Sequence, residues 1–299
     1  MSVAPSEPVD LGVVELAIVG IAQDGGVPQA GCACKNCRMA MEDPSRRYFP
    51  SSCAIRGKDG SLHIIEATRS LAEQIVIASK SLRFEVSVPE TVSLTHTHLG
   101  HVDGLGQFGK EVIDSKDVPL FGTEKVLLDL KRRRLVDPFS AKTVTPMSFF
   151  SPKDGCGFEY MFIPVPHRDE YSDTHAIVIK GDEKSILFIP DHDDWDKTLN
   201  LNGFENIREW WNYLEVDIIL LDGTFWNEKE IEDRDISEIP HPMISETIER
   251  IGHKLETDPE LYFIHINHTN PILDENSPQY QKIIRMGWRV ARQGGTFVL

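Results

Sequence analysis

The segment His-Thr-His-Leu-Gly-His at residues 96–101 constrains the fold of this chain more than any other feature. The apolar residues 92–94 before it are predicted to form a short buried strand, and residues 103–113 after it to form a helix. Side chains alternate along an extended chain, so the first two histidines point the same way, and the following turn can bring the third to the same place. Three converging imidazoles are typical ligands of zinc, manganese or iron; the alternative is a turn with surface histidines.

The balance of charges limits the partners of this chain. Its 299 residues include 31 Lys and Arg against 47 Asp and Glu, a formal net charge of −16. A field of this sign repels nucleic acid and anionic membranes, and no apolar stretch approaches the roughly 20 residues that span a bilayer. The N-terminus lacks the basic and apolar regions of a signal peptide. We therefore expect a cytoplasmic protein with a small-molecule substrate and no nucleic-acid or membrane partner; a homo-oligomer stays open.

Apolar patterns along the chain predict an α/β fold. Strands come first in bunches, helices of 3.6-residue periodicity intervene, and this order repeats in the second half without a low-complexity linker. The pattern favours one domain, residues 11–299, with two sheets between helical layers, after a flexible tail at residues 1–10. Strands are predicted at residues 13–21, 52–56, 62–66, 92–94, 118–121, 159–165, 176–180, 185–189, 216–221, 261–266, 288–291 and 296–299. Further helices are predicted at residues 71–81, 124–133, 207–214, 243–255 and 279–286.

Three more metal-capable residues stand where predicted strands end. His167 follows an apolar run and opens a polar loop, Asp191 comes after the strand at 185–189, and His265 lies near the end of the strand at 261–266. Buried strands of an α/β core seldom end in such residues unless that end faces a site, although each alone could be a hydrogen-bonded polar residue. Together with the three clustered histidines they favour one shared metal site.

The order of these residues resembles the metallo-β-lactamase superfamily over nearly the whole chain. The resemblance implies an αββα sandwich whose metal site lies at one edge of two packed sheets. It also implies an active site with one or two ions of zinc, manganese or iron. The implied ligands are His96, His98 and His167 for a first metal, Asp191 as a bridge, and His101 and His265 for a second.

The chain departs from the superfamily's His-X-His-X-Asp-His motif at one position, where Gly100 replaces the aspartate. In the superfamily that carboxylate binds the second metal and helps to orient the attacking water. We therefore expect the second metal position to be weaker or empty unless another acid substitutes. One candidate is Asp103, which is also expected in the first turn of a helix. The other is Glu66, which stands where many members carry an acid that braces the histidine loop.

A narrower resemblance involves the cysteines. Residues 25–37, Gly-Gly-Val-Pro-Gln-Ala-Gly-Cys-Ala-Cys-Lys-Asn-Cys, are similar to the pyrroloquinoline quinone biosynthesis B family, as are residues 221–225 and 265–274. The cyclic-phosphate phosphodiesterases of phosphonate metabolism share the cysteine cluster and the later His-X-X-His. Three cysteines at this spacing favour zinc over free thiols, and the resemblance implies a structural zinc site. Its implied ligands are Cys32, Cys34, Cys37 and His268.

Two further residues are candidates for roles beside the metal. His241 precedes a predicted helix, and the phosphodiesterase relatives have a substrate-facing histidine in the corresponding loop, where it could protonate a leaving oxygen. The alternative is a capping or surface histidine between two prolines. Asp222 ends a predicted strand and could hydrogen-bond a ligand histidine. We assign catalytic roles to His241 and to the bridging Asp191.

The leading functional hypothesis is a metal-dependent hydrolase of a small-molecule ester or phosphodiester. In such an enzyme a bound metal lowers the pKa of its water and polarises the scissile group. A second hypothesis follows the narrower resemblance: an iron-dependent oxidase or hydroxylase in the biosynthesis of a pyrroloquinoline-quinone-type cofactor, acting on a tyrosine-containing precursor. A third hypothesis is a non-catalytic metal-binding protein.

Overall fold

The computed structural model describes residues 12–230 and 239–299, so the tail predicted at residues 1–10 lies outside the described residues. The strands are β1 Glu15–Gly20, β2 Ser52–Arg56, β3 Leu62–Ile65, β4 Thr91–Ser93, β5 Val118–Gly122, β6 Phe139–Thr143, β7 Glu159–Val165, β8 Thr174–Lys180, β9 Ser185–Ile189, β10 Ile218–Asp222, β11 Glu260–Ile264, β12 Arg289–Val290 and β13 Thr296–Val298. The helices are α1 Lys35–Glu42, α2 Leu71–Leu82, α3 Leu99–Val102, α4 Glu124–Arg132, α5 Trp195–Asn202, α6 Ile207–Leu214, α7 Ile244–Ile251 and α8 Pro278–Arg285.

Within the described residues the strands form two mixed sheets. The first sheet has seven strands in the order β13-β1-β2-β3-β4-β5-β6, and the second has six in the order β12-β11-β10-β9-β8-β7. In the first sheet β1, β3, β4, β5 and β6 run in one direction, because β2 is antiparallel to both β1 and β3. In the second sheet β8 is antiparallel to both β7 and β9, so the remaining strands, β7, β9, β10, β11 and β12, run in one direction.

A large apolar core lies between the two sheets, and helices cover their outer faces. In β1 the side chains of Leu16 and Ile18 join this core, whereas Ala17 and Val19 pack with residues of α2, as the two-residue periodicity of a strand requires. All residues of β9 and β10 are buried, so both faces of the second sheet are covered. The predicted αββα sandwich is therefore confirmed.

Strand direction explains where polar residues can gather. The chain leaves β1, β3 and β4 at the same end of the first sheet, and it leaves β7, β9, β10 and β11 at the same end of the second. These two ends face each other, since His101 after β4 lies 3.1 Å from Asp191 after β9. Most of the metal-capable residues that the sequence singles out come directly after these strands, at this one edge of the sandwich.

The prediction of a helix at residues 103–113 is wrong. The structure has only the short α3, which ends before this segment, followed by a 3₁₀ turn. At Gly104 the chain passes against the loop after β3: its N–H donates to the carbonyl of Ala67 over 2.8 Å, and a Cβ there would lie 1.9 Å from the carbonyl oxygen of Thr68. This close backbone approach requires glycine and replaces a regular helix with tight turns.

Leu220 offers a test of the packing between the sheets. Its side chain is fully buried in β10, which pairs with β9 and β11. We expect Leu220→Ala to lower the free energy of unfolding by about 3 kcal/mol, because the smaller side chain leaves a cavity. Denaturant unfolding of the metal-loaded protein measures this loss. The matched control, Leu201→Ala at an exposed position of α5, should change it by less than about 0.5 kcal/mol; equal losses would contradict the packing.

Candidate metal centre

A first group of imidazoles comes from the chain after β4 and after β7. The ring centroids of His96 and His98 lie 4.5 Å apart, and those of His98 and His167 lie 5.0 Å apart. One ligand atom from each of the three lies within 4.8 Å of the others. All three side chains are buried. The structure therefore brings together the residues that the sequence analysis grouped around a first metal.

These imidazoles are held in the form that binds metals. Burial lowers the pKa of His96 well below its ordinary value, and it lowers the pKa of His98 to about 4. Both rings are therefore neutral near pH 7 and offer a nitrogen lone pair. The Nδ1 of His96 hydrogen-bonds the Thr95 hydroxyl at 2.9 Å, and its Nε2 has no hydrogen-bond partner among residues 12–230 and 239–299. A buried nitrogen without a partner fits a metal ligand.

Asp191 lies between this group and a second one. Its carboxylate oxygens are 3.1 Å from His101 Nε2, 3.5 Å from His265 Nδ1 and 3.7 Å from His167 Nε2. Burial opposes the charge of this carboxyl, but the neighbouring imidazoles of His265 and His101 outweigh burial and hold the pKa of Asp191 well below its usual range. Asp191 is therefore an anion in contact with both groups, which is the arrangement expected of a bridging ligand.

Asp24 belongs to the second group, and the sequence analysis missed it. Its Oδ1 lies 3.3 Å from His101 Nε2 and 3.4 Å from His265 Nε2, and the three side chains together form a potential metal-binding group. The residue lies in the Gly- and Pro-rich loop after β1. Its sequence signal is weak, because many loops of this composition are plain connections between strands and helices.

The two acids that the sequence proposed as substitutes lie in different surroundings. Glu66 is fully buried after β3; its Oε1 accepts the Thr95 N–H at 2.9 Å, and its Oε2 lies 3.4 Å from His101 Nδ1. This geometry fits the predicted bracing of the histidine loop. Asp103 follows the C-terminal end of α3 and pairs with Arg69 at 3.0 Å, so its predicted place in the first turn of a helix is wrong.

His241 lies inside the same edge of the sandwich. It is buried, its ring centroid is 5.1 Å from that of His167, and its Nδ1 is 2.7 Å from Asp222 Oδ2. Burial alone would lower the pKa of His241, but the Asp222 carboxylate outweighs it and raises the pKa. The Thr224 hydroxyl donates to Asp222 Oδ1 at 2.7 Å and lies 2.9 Å from His265 Nδ1. Asp222 therefore acts directly on His241, and it reaches a predicted ligand only through Thr224.

The cysteine cluster closes around His268. The Sγ atoms of Cys32, Cys34 and Cys37 lie 3.3, 3.5 and 3.7 Å from His268 Nδ1. A tetrahedral zinc with Zn–S of about 2.3 Å and Zn–N of about 2.1 Å places sulfur and nitrogen about 3.6 Å apart. The observed distances bracket this value, so the four predicted ligands fit a structural zinc. α1 begins directly after Cys34 and carries Cys37 on its first turn.

Backbone hydrogen bonds connect the two candidate sites. His265 and His268 lie on one segment after β11, and the Gln23 N–H donates to the carbonyl of Ile266 over 2.9 Å. The Ile266 N–H in turn donates to Ile21 over 2.8 Å. The loop after β1, which carries Asp24 and leads to the cysteines, is thus tied to the segment after β11.

Fold and side-chain clusters together define a class of protein: an αββα sandwich that gathers metal-binding residues at the edge of its two sheets. The model of the Beta-lactamase superfamily domain matches residues 64–266, and the chain belongs to this superfamily. No helix within the described residues is long and apolar enough to cross a membrane.

Curated proteins and solved structures that are similar to this chain include members of two groups within the superfamily. Coenzyme PQQ synthesis protein B of Methylococcus capsulatus is 26% identical, with 95% of this chain and 99% of that protein aligned; the Ruegeria pomeroyi protein of the same name is 25% identical, with 96% and 100% aligned. The structure of Zn²⁺-bound PqqB from Methylobacterium extorquens has a TM-score of 0.71 at 23% identity, covering 95% of this chain and 100% of that one. A diphosphatase from the PhnP family has a TM-score of 0.66 at 20% identity, covering 96% and 97%.

The cysteine site can be tested by counting zinc. We expect Cys34→Ser to lose about one zinc per chain, because a hydroxyl is a poor replacement for a thiolate ligand. Elemental analysis of the purified protein measures the zinc content. Cys156→Ser is the matched control, since Cys156 Sγ donates to the Phe158 carbonyl at 3.4 Å, away from the cluster. An unchanged zinc content in Cys34→Ser would contradict the site.

Proposed function

We propose that this chain is a metal-dependent hydrolase that acts on a small-molecule ester or phosphodiester. The observation that carries the proposal is the place of Asp191, a buried carboxylate within 3.7 Å of imidazole nitrogens from both groups. Such a constellation would hold one or two divalent ions. Superfamily membership supports this reading, since its solved neighbours include a PhnP-family diphosphatase and the short form of human tRNase Z, the latter with a TM-score of 0.51.

The donor set indicates which ions fit. Neutral imidazoles and carboxylates suit zinc, manganese or iron, and the Zn²⁺-bound PqqB structure supports zinc as one of them. When bound, the metal supplies a water of lowered pKa and polarises the scissile group. The residues that would hold it are His96, His98 and His167 in the first position, Asp191 between the positions, and His101 and His265 in the second.

His241 is suited to act as the general acid. Asp222 Oδ2 accepts a hydrogen bond from His241 Nδ1 at 2.7 Å, which fixes the orientation of the ring, and its negative charge favours the protonated imidazole. The protonated imidazole can pass a proton to a leaving oxygen and then recover one from solvent. Thr224 holds Asp222 in place through its hydroxyl and its backbone N–H, at 2.7 and 3.0 Å.

Charge favours a small substrate. The net charge of −16 opposes the approach of nucleic acid polymers and anionic membranes, whereas a small phosphodiester meets chiefly the local field of the metal centre. The similarity to a PhnP-family diphosphatase supports a phosphoryl group over a carbonyl group as the scissile centre.

A second candidate is an iron-dependent oxidase or hydroxylase in cofactor biosynthesis. The observation that favours it is the similarity to coenzyme PQQ synthesis protein B, which extends over 95% of this chain. The three-histidine group could hold a single iron with open positions for oxygen. Turnover of a chromogenic phosphodiester distinguishes the two candidate functions. A hydrolase should cleave this substrate, whereas an oxidase should require iron and consume oxygen.

The role of His241 can be tested by substitution. With zinc or manganese and a chromogenic phosphodiester, we expect His241→Gln to lower kcat on the order of 10²–10⁴-fold while metal content stays unchanged, because only proton donation is removed. His253→Gln, at an exposed position, is the control and should retain full activity. Full activity in His241→Gln would contradict its assignment. Oxygen uptake with iron, in place of hydrolysis, would support the oxidase; neither activity would support the non-catalytic protein.

The assignment of His96 as a metal ligand can be tested by measuring metal content. We expect His96→Ala to lower metal content at the centre and to abolish hydrolysis, because a ligand nitrogen is lost. Zinc in the cysteine cluster should remain, since His96 is not part of that cluster. Elemental analysis and activity measured on the same sample check both statements. A variant that keeps all its metal would rule out His96 as a ligand.

A further inference from the structure

We propose that Asp24 is a ligand of the second metal ion, and that residue 100 is glycine because the Asp24 carboxyl fills the space of its side chain. The inference rests on the metal centre of the proposed function and names a residue of that centre. It also reverses the expectation, drawn from Gly100, that the second position is weak or empty.

The donor geometry supports the first half of the proposal. Asp24 Oδ1 is 3.3 Å from His101 Nε2 and 3.4 Å from His265 Nε2. Asp191 Oδ2 approaches the same His101 nitrogen to 3.1 Å. Two imidazoles and two carboxylates therefore converge, which is a nitrogen and oxygen donor set for a divalent first-row metal.

The space around Gly100 supports the second half. A Cβ at this position would lie 2.1 Å from Oδ1, 2.3 Å from Cγ and 2.5 Å from Cβ of Asp24. Gly100 lies in α3 and does not have a left-handed backbone, so its conformation does not require glycine. The side chain of Asp24 supplies the steric reason for glycine at residue 100. Only one side chain can occupy this space, and the Asp24 side chain from the loop after β1 occupies it.

The loop holds Asp24 in position. The Gly26 N–H donates to the Gln23 carbonyl over 2.7 Å, which makes Asp24 the second residue of a four-residue turn. Gln23 donates to Ile266, the residue next to the ligand His265, over 2.9 Å. Asp24 and His265 are thus fixed to each other through the backbone before any metal binds, as a pre-organised site requires.

A competing explanation gives Asp24 only the role of a counter-charge for the buried His101. A reciprocal exchange separates the two explanations. The variants are Asp24→Gly, Gly100→Asp and the double variant that carries both, because alanine at residue 24 would keep the Cβ that lies 2.5 Å from a Cβ at residue 100. Asp24→Asn is the variant of nearly equal shape. Asp103→Ala is the control, because Asp103 pairs with Arg69.

Manganese is the probe, with zinc retained in the cysteine cluster, because manganese prefers nitrogen and oxygen ligands to thiolates. Isothermal titration calorimetry gives the number of ions and their affinities, and electron paramagnetic resonance detects a coupled manganese pair. We expect two ions in the wild type and in Asp103→Ala. In Asp24→Gly and Asp24→Asn the second ion should bind at least about 100-fold more weakly.

The Gly100→Asp variant and the double variant distinguish a ligand role of Asp24 from a counter-charge role. Gly100→Asp alone should also weaken the second ion, because the new side chain meets the Asp24 carboxyl. The double variant should recover the second ion to within about tenfold of the wild type, and a counter-charge role predicts no such recovery. Wild-type affinity for both ions in Asp24→Gly, or a single ion in the wild type, would overturn the proposal. Neither result touches the hydrolase proposal, which is judged by turnover.

Discussion

The charge of one buried carboxylate organises this molecule. Asp191 is only 3% exposed, and an unpaired anion at such a position is strongly destabilising. Imidazoles from four other segments of the chain surround it, those of His101, His167, His241 and His265, and this requires strands of both sheets to end at one edge. The same requirement explains the backbone at His265, where a φ of 59° turns the side chain towards the carboxylate in a conformation that few residues other than glycine adopt. The sandwich architecture thus serves to bring distant strand ends around a single negative charge.

Much of the fold could be predicted from the sequence because buried strands have readable apolar runs. The strands at Ser52–Arg56, Glu159–Val165 and Ser185–Ile189 have the predicted bounds, and the ligand candidates after the last two, His167 and Asp191, fall at the predicted edge. β6 was missed because it is mostly exposed and lacks an apolar pattern. α1 was missed because its eight residues include few apolar side chains and start within a cysteine cluster.

Some residues of the candidate site could be predicted from the pattern of strands in the sequence, whereas others are brought there only by packing of the folded chain. Ligands that follow a strand closely could be recognised from their order, since strand direction places them together. Asp24 could not be recognised, because its approach to His101 and His265 depends on backbone hydrogen bonds between two loops that are more than 200 positions apart in the chain. Of the two acids that the sequence offered, Asp103 pairs with Arg69, and Glu66 lies at His101 Nδ1. Asp24 lies at the other ring nitrogen, Nε2, of His101.

The short segment after β11 has a consequence for how this chain can vary. His265 lies against the buried carboxylate and His268 against the three thiols, and only two residues separate them. An insertion or deletion between these histidines would shift one imidazole relative to the other and disturb both coordination shells at once. Related chains that keep both sites should therefore keep two residues between these histidines.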